Sequence, residues 1–217
     1  MSLSTTSAAT AAVRSAAPRK PARAMQRVPP FPIYQISVQK YHEMIQKGIL
    51  TEDDPVELLE GWIVHKMPRN PAHDTAIDLT EAALRPLLPP GWRIRVQNAI
   101  TTADSEPEPD LAVVEGDLRA FTTHHPGPAD VGLLIESSES SLDTDRIEKG
   151  RIYAAANIPV YWIINLVDRQ VEVYSDPDPR ANPPAYRRRE TYVHGQTVPL
   201  VLKGQPVAHI PVQDLLP

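Results

Sequence analysis

The chain contains no cysteine. Disulfides, thiolate metal centres and cysteine nucleophiles are therefore excluded, and with them the small secreted scaffolds that depend on cross-links. No apolar run approaches the length of a membrane span, and no hydrophobic core of a signal peptide follows the N-terminus. A soluble, cytoplasmic protein without a membrane partner is expected. A Gly-rich phosphate loop and a GxSxG turn are also missing, so neither a nucleotide kinase nor a serine hydrolase is supported. The seven histidines show no HxH, HxxxH or HxxEH spacing. His124 and His125 lie in a Pro/Gly loop and read as solvated rather than ligating.

What is present is unevenly distributed. The chain has 217 residues, enough for one domain with a real core, but 41% apolar content is low and 24 prolines are many. Residues 1–30 hold Arg14, Arg19, Lys20, Arg23 and Arg27 and no acid, which leaves 17 basic against 27 acidic residues and a charge of −10 on the remainder. This segment is too poor in large apolar groups to offset its ordering entropy. It reads as a disordered basic arm, with an Arg-rich transit peptide as the other reading. The acidic remainder does not suit nonspecific coating of nucleic acid, although a local basic groove or an acidic metal site is compatible with it.

From Ser37 onward the chain reads as structured. The segment 37–50 has helical spacing, with a cap at Ser37 and a stop at Gly48. Residues 56–67 read as two short strands turned at Glu60-Gly61. A helix with Ile77, Leu84, Leu87 and Leu88 on one side is expected to run to Pro89-Pro90-Gly91, followed by a strand over 92–100. The runs DLAVVEG and VGLLIES read as strands covered on both faces. Residues 142–158 read as a helix with an acidic first turn, and 160–176 as a hairpin across Asp168-Arg169. YRRRETYV supplies a further strand and HIPVQDLL a last short element. Arg187, Arg188 and Arg189 read as a solvated strand edge. The fold class is α/β, a mixed sheet flanked by helices.

Two carboxylates stand out. Asp110 follows Pro109 at the mouth of one covered strand, and Glu136 ends the apolar run Val131–Ile135 of another. Acids at strand ends often only cap loops and face water. Buried, they cost free energy unless paired, hydrogen-bonded or bound to metal. A pair on neighbouring strands would favour a hard cation such as Mg²⁺, Mn²⁺ or Ca²⁺ over zinc. Glu57 opens the first hairpin strand. Asp145, Lys149, Ile152 and Ala156 are spaced four, three and four, one stripe of a helix. Lys149 can form a surface pair with Asp145 or lean inward with the apolar residues. The stripe favours the inward reading.

These residues, in this order, carry a resemblance. YHEMIQKGILTEDDPVELLEGWIV, SEPEPDLAVVEG, LLIESSESSLDTDR, KGRIYAAANIPVYWIINL and VEVY resemble the Uma family of candidate restriction endonucleases, within the PD-(D/E)XK nuclease superfamily. The likeness spans roughly residues 36–217. It implies a restriction-endonuclease-like fold for a domain over 31–217, with Mg²⁺, or Mn²⁺ in its place, assisting hydrolysis of DNA phosphodiesters. It implies Asp110, Glu136 and Glu57 as metal ligands, with Lys149 as the motif lysine, so that all four are catalytic. Gln97 and His73 are candidate helpers. The chain departs from the plain motif, which puts lysine two residues after the second acid, where Ser138 stands here. Ser137 also occupies a position where an apolar residue is expected. A homodimer is expected, since duplex cleavage needs two cuts. The rival reading is a catalytically inactive nuclease-like module that binds nucleic acid or a protein partner. A third is a hydrolase of some other phosphoester.

Overall fold

Ser37 starts the first helix because its side chain accepts a hydrogen bond from the Lys40 N–H at 3.3 Å. The computed structural model describes residues 31–217, and the arm expected over residues 1–30 lies outside the described residues. Helix α1 spans Val38–Gln46. Gly48, at φ 67°, then turns the chain as expected. Strands β1, Val56–Leu59, and β2, Trp62–His65, pair antiparallel. Glu60 and Gly61 between them both have positive φ, 49° and 80°, the backbone of a tight two-residue hairpin turn.

Helix α2 spans Pro71–Leu84, with Asn70 as its cap and Pro71 in the first turn. It is shorter than the sequence spacing suggests. Pro86 removes the N–H that would bond to Ala82, and the chain tightens into a 3-10 turn over Arg85–Leu87. Strand β3, Trp92–Val96, also ends before residue 100, because Gln97 takes a left-handed conformation at φ 50°. Strands β4, Leu111–Glu115, and β5, Val131–Ser138, follow. Helix α3, Leu142–Thr144, runs through a π-helical turn at Asp145–Lys149 into α4, Gly150–Ala155. Strands β6, Val160–Asn165, β7, Gln170–Asp178, and β8, Ala185–Val193, complete the main sheet.

That sheet has six strands in the order β3-β4-β5-β6-β7-β8. Only the β5–β6 pair, joined through α3 and α4, is parallel, so the mixed sheet is as expected. Alternation along each strand feeds two cores. Leu111, Val113, Leu133 and Ile135 pack with Ala76, Ile77 and Leu84 of α2. Ala112, Val114 and Leu134 pack with Ile152 and Tyr153 of α4. On β8, Arg187, Arg188 and Arg189 are exposed at the sheet edge. One hairpin departs from the expected single terminal element: β9, Thr197–Leu202, with β10, Gln205–Pro211. Its Val198, Leu200 and Ile210 join the α2-side core.

Gly132 in β5 is set by close packing. A Cβ there would sit 2.5 Å from Trp92 Cζ3 and 3.0 Å from Leu202 Cδ2. Gly132→Ala should cost about 1–3 kcal/mol and lower Tm by several degrees. Adding Trp92→Leu should recover part of the loss, and additive losses in the double variant would show that this contact is not the cause.

Glu172 on β7 is fully buried among donors. Its oxygens accept from Tyr174 Oη and Asn165 Nδ2, each at 2.8 Å, and from Arg146 Nε at 3.1 Å, while Arg189 lies 2.9 Å away. Burial opposes the charge, but the hydrogen bonds from Arg146, Tyr174 and Asn165 and the charge of Arg189 outweigh it and hold the carboxyl at about 2, below its ordinary 4.5. A depressed folded-state pKa stabilises the fold fully above about pH 4.5, and that contribution fades as pH falls toward 2. With Arg189 half exposed to screening water, about 1–2 kcal/mol is expected. Denaturant unfolding should show a shallower acid limb for Glu172→Gln than for the unsubstituted chain. Parallel limbs would count against this cluster as an acid-sensitive element.

Candidate active site

The segment before β4 cannot form a regular ladder, because Pro107 and Pro109 have no N–H. The intervening donors go to β1 instead. Glu106 N–H bonds to Leu58 O at 2.7 Å, and Glu108 N–H to Glu57 Oε2 at 3.0 Å. This holds the first hairpin against the mouth of the sheet and brings Glu57 to it. The antiparallel register pairs Leu111 with Ile135, so Asp110 stands beside Glu136 one step further on. Asp110 carbonyl accepts from Gln97 N–H at 2.9 Å, which fixes the strand mouth from the other side.

Glu57, Asp110, Glu136, Lys149, Gln97 and His73 all line one cavity of about 360 Å³. The three carboxylates are 7%, 8% and 3% exposed in the order Glu57, Asp110, Glu136, so none of them is a solvated strand-end acid. Asp110 Oδ2 accepts from Ser137 N–H at 2.9 Å and lies 3.0 Å from His73 Nε2. His73 is held there by the first turn of α2, whose cap Asn70 accepts from the His73 N–H at 3.0 Å. Burial works against a charge on His73, yet the hydrogen bond and charge of Asp110, with help from Asp74, raise its pKa above the ordinary value.

Glu136 Oε1 accepts from Lys149 Nζ at 2.8 Å and from Tyr153 Oη at 2.7 Å. Burial pushes the Glu136 carboxyl up to about 8; Lys149 opposes the shift, while Asp110 and Asp145 add to it. Burial lowers Lys149, but Glu136, Glu57 and Asp145 outweigh it and hold the ammonium well above its ordinary range. The lysine therefore stays charged inside a cluster dominated by negative groups.

The inward lean of Lys149 comes with a backbone feature that the helical spacing does not reveal. The π turn widens the helix at Asp145–Lys149, and Asp145 is buried rather than exposed beside Lys149. Its Oδ2 accepts from Ser138 Oγ and Ser141 Oγ, both at 2.6 Å. Ser138, at the plain motif's lysine position, thus serves to hold Asp145. Tyr153 and Asp145 are the site residues missed by sequence reasoning. Tyr153 lies four residues after Lys149, and that spacing was a usable signal. His125, expected to be solvated, is partly buried in another cavity.

The chain matches the Uma2 family, described as "Putative restriction endonuclease", over residues 38–208. It belongs to that family. Uma2 membership carries the coarse expectation of nuclease chemistry. Among solved structures, one titled "Crystal structure of a putative nuclease belonging to DUF820 from Anabaena variabilis ATCC 29413" is similar, with a TM-score of 0.58 and 16% identity over 83% of this chain and 97% of that one. At that identity the likeness speaks to the fold alone. No curated protein matches the chain.

The donor set suits a hard cation, with three buried carboxylates and no thiol. Ser137 Oγ, also on the cavity wall, is buried with no hydrogen-bond partner among the described residues. Among the same residues, no three His, Asp or Glu side chains already stand close enough together to hold an ion. Each acid is instead engaged: Asp110 with His73 and Ser137, Glu136 with Lys149 and Tyr153, and Glu57 with the Glu108 N–H. Occupancy requires these carboxylates to move closer together.

Proposed function

We propose that this Uma2 protein is an endonuclease that hydrolyses DNA phosphodiester bonds with Mg²⁺ or Mn²⁺. The observation that carries the reading is the meeting of Lys149 with the buried acids Asp110, Glu136 and Glu57 at one cavity. Asp110, Glu136 and Glu57 would hold the ion, which, when bound, polarises the phosphate and lowers the pKa of a bound water. His73 orients the Asp110 carboxylate through its 3.0 Å contact. Lys149 keeps a fixed positive charge where negative charge develops on the phosphoryl oxygens. Tyr153 keeps Glu136 in its rotamer through the 2.7 Å bond. Two copies acting together would cut both strands of a duplex.

A second reading is a nuclease-like module that binds DNA or a protein partner without cutting. It is favoured by the engagement of Glu136 with both Lys149 and Tyr153 and by Ser138 at the motif lysine position. Calorimetry with Mg²⁺ and Mn²⁺, with and without DNA, followed by plasmid cleavage with and without EDTA, separates the two. Heat of binding and EDTA-sensitive cleavage are expected. Salt-sensitive DNA binding with neither would favour the inactive module.

A further inference from the structure

Gln97 and Glu108 stand on the wall of the active-site cavity. These residues also wall a smaller cavity with Ile45, Glu106 and His125. Ile45, Glu106 and His125 in turn wall a third, of about 710 Å³, with Phe121, His124 and Thr123. The three spaces share wall residues in succession, from the carboxylates to Phe121.

Phe121, on the wall of the third cavity, is contacted by two arginines. Arg93 and Arg95 alternate on β3 and so share a face, opposite Val114 and Ala112 of β4. Their guanidinium carbons lie 5.1 and 5.8 Å from the Phe121 ring centre. Among the described residues neither makes an ion pair, and the Nε of each is buried with no hydrogen-bond partner. Burial and the charge of Arg93 both lower the pKa of Arg95. Two unneutralised guanidiniums side by side call for a shared anion. The loop bearing Phe121 folds back through Gly116, at φ 143°, where a Cβ would sit 3.0 Å from Ala120 Cβ. His124 meets the Phe121 ring edge-on at 5.7 Å. The acids on these walls are largely answered: Glu106 by His42 at 2.6 Å and Thr101 at 2.7 Å, Glu108 by Lys66 at 2.6 Å, and Asp130 by the Gly127 N–H at 2.9 Å.

We propose that Arg93, Arg95 and the Phe121-walled cavity form a subsite for an unpaired nucleotide beside the cleaved bond, with the arginines taking its phosphate and the cavity its base. This rests on the nuclease reading and narrows its substrate. A base can enter such a cavity only when it is out of the duplex stack, so nucleic acid with unpaired nucleotides is the preferred class. Burial, with Arg95 and His42, lowers the His125 pKa against the pull of Glu106 and Glu108. A neutral imidazole gives the base edge one donor and one acceptor.

Fluorescence anisotropy on the full chain in EDTA tests this with labelled blunt duplex, forked duplex and single strand of one sequence. Forked and single-stranded DNA should bind tighter than blunt duplex. Phe121→Ala should weaken their binding by about tenfold or more and erase the preference, while Phe121→Trp should retain it. Arg93→Gln and Arg95→Gln should each reduce the slope of log affinity against log salt by about 0.7–0.9, and lysine at either position should restore the slope. Equal affinity for all three DNAs, or no change in the Phe121→Ala and Arg→Gln variants, overturns the subsite. Cleavage by the unsubstituted chain together with that result would leave the nuclease reading standing. Binding that depends on these residues, with no cleavage under any metal, would keep the subsite and remove the nuclease.

Discussion

Asp110→Asn should abolish metal-dependent cleavage, with a loss of at least about a thousandfold. The substitution keeps size and shape but deletes the charge that a cation needs. An Asn oxygen can still accept from the Ser137 N–H, now bonded to Asp110 at 2.9 Å. Stability should therefore change by no more than about 1 kcal/mol. The contrast separates a functional acid from a structural one. Plasmid cleavage in Mg²⁺ measures the first quantity and thermal unfolding the second. Calorimetric Mg²⁺ binding should vanish with the activity. A variant that cuts at the unsubstituted rate would remove Asp110 from the chemistry.

Lys149→Met should lose on both counts. Lys149 and Glu136 are paired at 2.8 Å, with side chains 13% and 4% exposed. Removing one partner of such a pair strands the other, at about 3–5 kcal/mol. Tyr153, which donates to the same oxygen, and protonation of Glu136 would trim that figure. Cleavage should fall by about a hundredfold to a thousandfold with the lost cation. Adding Glu136→Gln removes the stranded charge, so the double variant should regain much of the stability and none of the activity. Chemical denaturation of the two singles and the double gives the coupling. Additive stabilities would mean that the ion pair does not hold the helix to the sheet.

The main sheet was legible because its signals are local and strong. Runs such as Leu111–Val114 and Val131–Ile135 are apolar on consecutive positions, which only strands covered on both sides require, and both cores draw on them. An acid at the end of each run was also readable, and so was the stripe that turns Lys149 inward. What escaped was non-local or borne by the backbone. The β9–β10 hairpin was hidden by Pro199 and Pro206, which read as loop, although the Lys203-Gly204 turn, at φ 46° and 78°, carries a hairpin signal between alternating residues. The π turn has no side-chain signature, so the burial of Asp145 could not be read from a regular 3.6-residue spacing. The adjacency of Asp110 and Glu136 depends on a pairing register across 26 residues of chain, whereas their residue types were plain.

Glu57 reaches the cavity on a hairpin that is not part of the six-stranded sheet. Hydrogen bonds from Glu106, Glu108 and Gly61 help fasten it to the segment 104–108. A two-stranded unit fastened this way opens more readily than the sheet beside it. The cavity thus joins partners of unequal cooperativity. Two of its acids, Asp110 and Glu136, remain in place until the whole domain unfolds, and the third departs with each local opening. Hydrogen exchange at Glu57 and Val64, whose N–H groups face each other's carbonyls in the hairpin, would therefore report how often the cluster is complete.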